Sequence, residues 1–516
     1  MPPWPLTNRR EFLQCSALAA LGWPAGASAA GACPDCTVRI ARLCVEAAPG
    51  RSILTTTYDE FGGPPLRLRA GRPVIVEVRN DTDRPECIHW HDRVASLADT
   101  AGSARVGSLP VASLSGASLS GASLSGASLS DAPTPVVSPA AGPSAAGWIP
   151  ARARRRFAVT PSGSGLTYWH SDVICGGDLE SGQYSGRMRT VLVEPKRDPG
   201  RFDREWLVVL KELEPYLRRT PGGLRVGYRV GTVNGRMLGH AEPLRARAGE
   251  RALLHVLNAS ATETHSIALP GHSFRVQSLD GVAVPVAAVT PVLRLGPGER
   301  ISALVELNHP GRWILGAVSD RARERGMGIV VEYADARVQR CGGGAPEWRA
   351  PSTDRWSYAW FADGDERNAV GHQDATRDVD MVLTRQTEVE RGFARWSVDA
   401  AGMGQSQSGP PARIQAGRRY RFRLHNASDE PLTVQSPHQR LEIAAVHWRS
   451  GACRSPTPCG SGPRWREVRL SKDVVTIEPG QRIDADVIPL RAGPLLLRSL
   501  SPLQRDFGLL TLIDRA

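Results

Sequence analysis

Short alternating apolar runs, frequent Gly and Pro between them, and one string of residues used twice predict an all-β chain of repeated sandwich units. The 516 residues include 52 Gly and 40 Pro, which interrupt any long helical pattern. Runs such as Val74-Ile75-Val76-Glu77-Val78 keep the two-residue period of a half-buried strand. The repeated string is Ala-Gly-x-Arg, an apolar strand, then Asn-Ala-Ser. It runs from Ala248 to Ser260 and again from Ala416 to Ser428, the signature of duplicated domains. A chain this long exceeds one hydrophobic core, and three β-sandwich units fit both its length and its pattern.

Taken in order, residues 1–30 form a leader. Arg9-Arg10-Glu11-Phe12-Leu13 has the form of a twin-arginine core, and Ala27-Ser28-Ala29 offers a small-residue cleavage site. The apolar run between them is far below the roughly 20 residues of a spanning helix. The expectation is export as a folded, periplasmic protein by the twin-arginine route, not membrane-spanning.

The first unit, 31–198, begins its strands at Val38-Arg39-Ile40 and Ser52-Ile53-Leu54. It is split by an insertion at about 100–147 in which Ala-Ser-Leu-Ser-Gly recurs from Ala112, Ala117, Ala122 and Ala127. Such small residues bury too little apolar area to offset backbone ordering, so this insertion reads as disordered. The second unit, 199–338, opens on the buried run Trp206-Leu207-Val208-Val209-Leu210. A linker at 339–375 leads to the third unit, 376–516, whose Glu478-Pro479-Gly480-Gln481-Arg482 echoes Gly296-Pro297-Gly298-Glu299-Arg300 of the second.

The formal net charge is +12, and the only lysines are Lys196, Lys211 and Lys472. Such an excess suits an acidic partner, whether anionic lipid, cell-wall polymer or nucleic acid. A compositional bias towards Arg, Ala, Gly and Pro accounts for it better, and no aromatic-interleaved basic patch marks a nucleic-acid surface. Eight cysteines follow the leader, an even count that favours disulfides in an oxidising compartment. Cys453 and Cys459 flank a Pro-rich turn and are placed to pair locally. Cys87 and Cys175 sit beside the two His strings and are candidates to pair if the segments around them converge. Cys33-Pro34-Asp35-Cys36 has redox-motif spacing but no βαβ surroundings, which leaves a structural or metal-binding role.

Two histidine strings carry the chemistry. In Cys87-Ile88-His89-Trp90-His91-Asp92, strand alternation puts His89 and His91 on one face and Trp90 on the other. Thr167-Tyr168-Trp169-His170-Ser171-Asp172 follows after the insertion. Together these strings resemble the I-H-W-H-G and Y-W-Y-H-S-H motifs of the multicopper oxidase family. Val233-Asn234-Gly235 and the turn at Ile149-Pro150 are similar to further family turns. The resemblance implies three consecutive cupredoxin-like Greek-key sandwiches. It also implies a copper-ligating role for His89, His91 and His170, with Asp172 standing where the family has a fourth histidine.

The same resemblance exposes gaps. Where the family has its third-domain H-P-x-H-x-H, this chain reads Glu430-Pro431-Leu432-Thr433-Val434-Gln435. Where the family has H-C-H with later His and Met, it reads Arg498-Ser499-Leu500, then Gln504 and Leu509. No cysteine follows Cys459 and no histidine follows His447, so the blue-copper thiolate and the third-domain half of the trinuclear site have no candidates. His265, His272, His425, His438 and His447 read as packing or hydrogen-bonding residues.

Three imidazoles and a carboxylate suit one Cu or Zn ion at His89, His91 and His170, with Asp172 either a fourth ligand or a group that orients the histidines from behind. An inherited, metal-free remnant is the alternative. A full set of four coppers is not expected. The function implied is a non-oxidase binding or scaffold role towards a protein or cell-envelope partner. In this it resembles the copper-less, twin-arginine-exported cell-division relative of these oxidases. The alternative is a copper-dependent oxidoreductase or copper-tolerance protein using the first-domain histidines.

Overall fold

The computed structural model describes residues 33–91, 98–99, 148–161, 163–194, 202–334, 345–353, 355–362, 377–390, 392–401, 415–437, 439–448, 465–489 and 495–513. The leader, the pentapeptide insertion, His438, Cys341, Cys453 and Cys459 lie outside them. Alternation of buried and exposed side chains turns nearly every described segment into strand, and the helical pieces are single turns such as Asp320–Glu324 and Pro502–Asp506.

The first sandwich has two five-stranded sheets. One runs Arg51–Tyr58, Cys36–Ala48, Val74–Asn80, Arg154–Val159, Ala98–Asp99; the other runs Leu66–Arg69, Met188–Glu194, Gly165–Ser171, Glu86–Trp90, Trp148–Ile149. Val38, Ile40, Val76, Val78 and Phe157 of the first sheet meet Ile88, Trp90, Trp169, Val191 and Val193 of the second, as inward faces of a β-sandwich do.

The second and third units share a 13-stranded sheet. Its joint is the parallel contact Leu224–Phe393 between strands Gly223–Val233 and Phe393–Ala401. Each half is covered by a smaller sheet of its own, which includes His265–Ala268 in the second unit and Leu432–Gln435 with Leu495–Ser499 in the third. One apolar core runs through both, and Tyr358 and Phe361 from within 339–375 are buried in it. The first and second units meet where two turns pack backbone to backbone. Gly62 sits there at φ 76°, and a Cβ would fall 2.2 Å from the Asn234 carbonyl oxygen, which only glycine avoids.

The duplicated Asn-Ala-Ser has a mechanical basis that extends to all three units. Asn258 Nδ2 donates to the carbonyls of Glu263 (2.9 Å) and Leu295 (2.9 Å), and its Oδ1 accepts from Ser260 N (3.0 Å). Asn426 does the same with Glu430 (2.8 Å), Ile477 (2.8 Å) and Ser428 N (2.9 Å). In the first unit Asn80 bonds Arg84 O (2.8 Å), Ile149 O (3.4 Å) and Thr82 N (3.1 Å). One buried amide therefore ends a strand, shapes the following turn and pins a segment across the sandwich.

The convergence of the histidine strands does not produce a disulfide. Cys87 and Cys175 are both free thiols. The Cys175 side chain packs with Tyr184, Val226 and Tyr228, and its Sγ points at the Val173 carbonyl, 3.6 Å away. Cys33 and Cys36 are also free.

Replacing Asn258 by Ala strands two buried carbonyls and should cost about 2–3 kcal/mol. A chemical-unfolding series checks this, and Asn426→Ala should behave alike because its bonds are the same.

Candidate metal centre

His89 lies on Glu86–Trp90 directly opposite His170 on the antiparallel strand Gly165–Ser171, and the next pair in register is Trp90 with Trp169. Alternation sends the two face by face: the indoles, with ring centroids 4.2 Å apart, go into the first core, and the imidazoles go to the opposite side. His91 follows the strand, stacked on Tyr168 at 4.4 Å. One donor atom from each of His89, His91 and His170 lies within 4.8 Å of the others, and all three side chains are buried.

Acceptors fix the tautomers. His170 Nδ1 is 2.8 Å from the Ser171 carbonyl, and His91 Nδ1 is 2.6 Å from Asp473 Oδ2. Neither oxygen can donate, so each Nδ1 carries the proton. The two Nε2 atoms face one another at 3.0 Å, a contact that a proton or a metal ion between them satisfies, and three buried imidazoles suit one borderline transition-metal ion. Asp473 then fills the orienting role that carboxylates play behind metal-bound histidines. Burial holds the His170 pKa well below the ordinary imidazole value, with His91 adding to the effect, which keeps its lone pair available.

The structure gathers three of the four residues expected to form the site. Asp172 is not among them, because both of its oxygens are taken: Oδ2 by Arg498 Nη1 at 2.7 Å and Oδ1 by Arg505 Nη1 at 2.9 Å. Burial disfavours its charge, but Arg498 and Arg505 outweigh that and lower its pKa.

Around the histidines stand residues from the other two units. Gln435 Nε2 lies 3.1 Å from His89 Nε2 and 3.2 Å from Asp473 Oδ1, while its Oε1 is buried without a partner. Arg300 of the second unit donates Nη1 and Nη2 to Asp473 Oδ2, both at 3.0 Å. Next to this, Lys472 Nζ is held by Asp280 Oδ2 (2.9 Å) and Glu299 Oε1 (2.8 Å). Burial opposes ionisation of Asp473, but His91 and Arg300 win and hold its pKa well below the ordinary carboxylate range. Burial likewise opposes the Lys472 charge, and Asp280 and Glu299 more than restore it.

Sequence reasoning missed Asp473 and Arg300 as neighbours of the histidines. The signal was there: Lys472-Asp473 is a charged pair entering the fully buried strand Val474–Ile477, and Lys472 is one of three lysines. Farther off, Ser499 Oγ donates to Gln504 Oε1 at 2.8 Å, and Ser499 and Leu509 are buried. His265 is bonded to Glu212, and His272 to Tyr333 Oη and the Pro270 carbonyl.

A multicopper oxidase family model matches residues 223–332. Multicopper oxidase MmcO of Mycobacterium tuberculosis is 24% identical over 292 residues, 50% of this chain and 48% of that one. The chain thus matches about half the length of that relative. The multi-copper oxidase of Pseudomonas thermotolerans superposes with a TM-score of 0.59 at 17% identity, covering 93% of this chain and 98% of the other. A Campylobacter jejuni multicopper oxidase, a metallo-oxidase, gives 0.60 at 13% identity, covering 93% and 90%. These two likenesses establish the fold, three cupredoxin-like sandwiches. The chain is thus similar to multicopper oxidases in the segment 223–332 and in its fold. Among the described residues the histidine triad is the group of donors that fits a metal ion.

Asp473→Ala would break the buried Asp473–Arg300 ion pair by removing one partner, a loss of about 3–5 kcal/mol, whereas the double change Asp473→Leu with Arg300→Met should recover part of it. The pKa values of Asp172, Asp280 and Asp473 are all depressed in the fold. Their stabilisation is therefore present above about pH 4 and lost as pH falls through the lowered values. Unfolding midpoints of wild type and variants between neutral and acid pH test both statements.

Proposed function

We propose that this chain is a periplasmic member of the multicopper oxidase family that does not run four-copper oxygen reduction. It serves as a non-oxidase binding or scaffold protein and keeps one cation site at His89, His91 and His170. The observation that carries this reading is the identity of the groups facing that triad. Gln435, Asp473 and Arg300 fill the side from which further ligands would have to come. At the position of a blue-copper thiolate, Ser499 is instead hydrogen-bonded to Gln504. A hydroxyl and an amide offer no soft donor for copper and no route for electrons into the triad.

The residues that would hold an ion are the three imidazoles. A copper ion bound there would supply one-electron and Lewis-acid chemistry. The chain's own contribution is to keep the proton of His91 on Nδ1 through Asp473, to present the Nε2 lone pairs, and to exclude water behind Trp90 and Trp169. The twin-arginine string at Arg9-Arg10 supports the periplasmic assignment.

Metal content of the full chain matured in copper-supplied cells tests the proposal. One ion per chain, lost in His89→Ala and in His170→Ala, is the expected result. A complement of about four ions, or an intense thiolate-to-copper absorption, would overturn the non-oxidase reading. Metal-free protein with unchanged folding in both alanine variants would overturn the single-ion site.

A further inference from the structure

On the outer sheet of the first sandwich, Arg39, Arg79 and Arg154 are direct cross-strand partners on three adjacent strands. Like charges facing one another across a sheet destabilise it. The row is nonetheless exposed and incompletely neutralised. Arg39 and Arg79 share one carboxylate, Asp81, at 2.6 and 2.8 Å, and Arg154 forms no ion pair among the described residues. The row lines a shallow depression of about 980 Å³ that adds Arg42 and Arg152. Its two carboxylates are Asp81 and Glu77, and Glu77 is already bound by Arg156 at 2.7 Å.

Arg152 supplies a second, independent observation. Its φ is 58°, a left-handed conformation that is unfavourable for a non-glycine residue. A glycine would remove that strain, yet the position holds an exposed arginine whose Nη1 reaches the Asp81 carbonyl at 2.8 Å. Backbone strain and charge repulsion are thus both tolerated to bring guanidinium groups to one place.

We propose that this depression is a binding site for a compact oligoanion, free in solution, bearing two or three phosphate groups. Adjacent strands lie about 4.8 Å apart, so the three guanidinium groups span roughly 10 Å, the scale of a short phosphate chain. Guanidinium forks match phosphate oxygens in bidentate pairs. The adjoining depression shares Arg39 but carries Glu46, Asp59 and Glu60, which would repel a longer polyanion. The only apolar side chains of the floor are Ala41 and Ala153. It therefore provides no stacking platform for bases and no anchor for insertion into a bilayer.

Calorimetric titration of the full-length chain with inorganic tripolyphosphate tests the site. Arg79→Gln together with Arg154→Gln should weaken binding at least tenfold, and added salt should weaken wild-type binding progressively. Arg152→Gly should lower affinity several-fold while raising the thermal midpoint, a combination that misfolding cannot imitate. Arg275→Gln, at an exposed position of the second sandwich, should change nothing. The proposal is overturned by no measurable binding, by equal affinity in the double variant, or by an equal loss in Arg275→Gln. Binding to vesicles containing phosphatidylglycerol but not to tripolyphosphate also overturns it.

Discussion

Asp473 is a point at which side chains of all three units meet. Its carboxylate takes the Nδ1 proton of His91 from the first unit, two N–H groups of Arg300 from the second, and an amide proton of Gln435 from its own. A buried carboxylate is costly on its own. It is stable here because every lone pair in reach has a donor and two of the donors approach from other units. The backbone around it is fixed in the same way, since Asp280 of the second unit accepts from the main-chain N–H groups of Asp473 and Val474, each at 3.2 Å. Separating any two units would expose or orphan one of these charges.

The fold was legible because each sandwich uses local signals that need no distant partner. Alternation in Val74–Asn80 and Glu86–Trp90 set the faces, and the Asn-Ala-Ser repeat marked the two later units. The structure adds that Asn80, followed by Asp81-Thr82, does the same work in the first unit. Its signal was missed because the hydrogen-bond geometry is conserved there while the Ala-Ser is not. Less legible was the joining of the second and third units into one sheet, which turns on a contact between Leu224 and Phe393 that neither strand announces.

At the site, the shared face of His89 and His91 followed from strand alternation, and their grouping with His170 from the resemblance between motifs. Asp172 did not follow, because its partners Arg498 and Arg505 lie more than 300 positions away (|i−j| of 326 and 333). A carboxylate two residues from a histidine looks like a ligand in sequence; only the fold reveals that two arginines claim it. The expected Cys87–Cys175 bridge fails for a related reason: neighbouring strands converge, but the Cys175 side chain is committed to packing against Tyr184 and Tyr228.

Charge balance sharpens what the triad can hold. Among the buried groups beside it, Asp280, Glu299 and Asp473 are met by Lys472 and Arg300, and Arg440 adds its positive charge towards Asp280 and Asp473. On the other side, Asp172 and Asp506 are balanced by Arg498 and Arg505. The facing Nε2 atoms of His91 and His170 call for a cation between them. A proton answers that need, and so does one metal ion, its charge spread over three imidazoles. A cluster of several divalent ions would instead place a large positive excess against Arg300 at low dielectric, where each unit charge a few ångströms away costs several kcal/mol. This electrostatic cost is what supports the single-ion reading proposed for the triad.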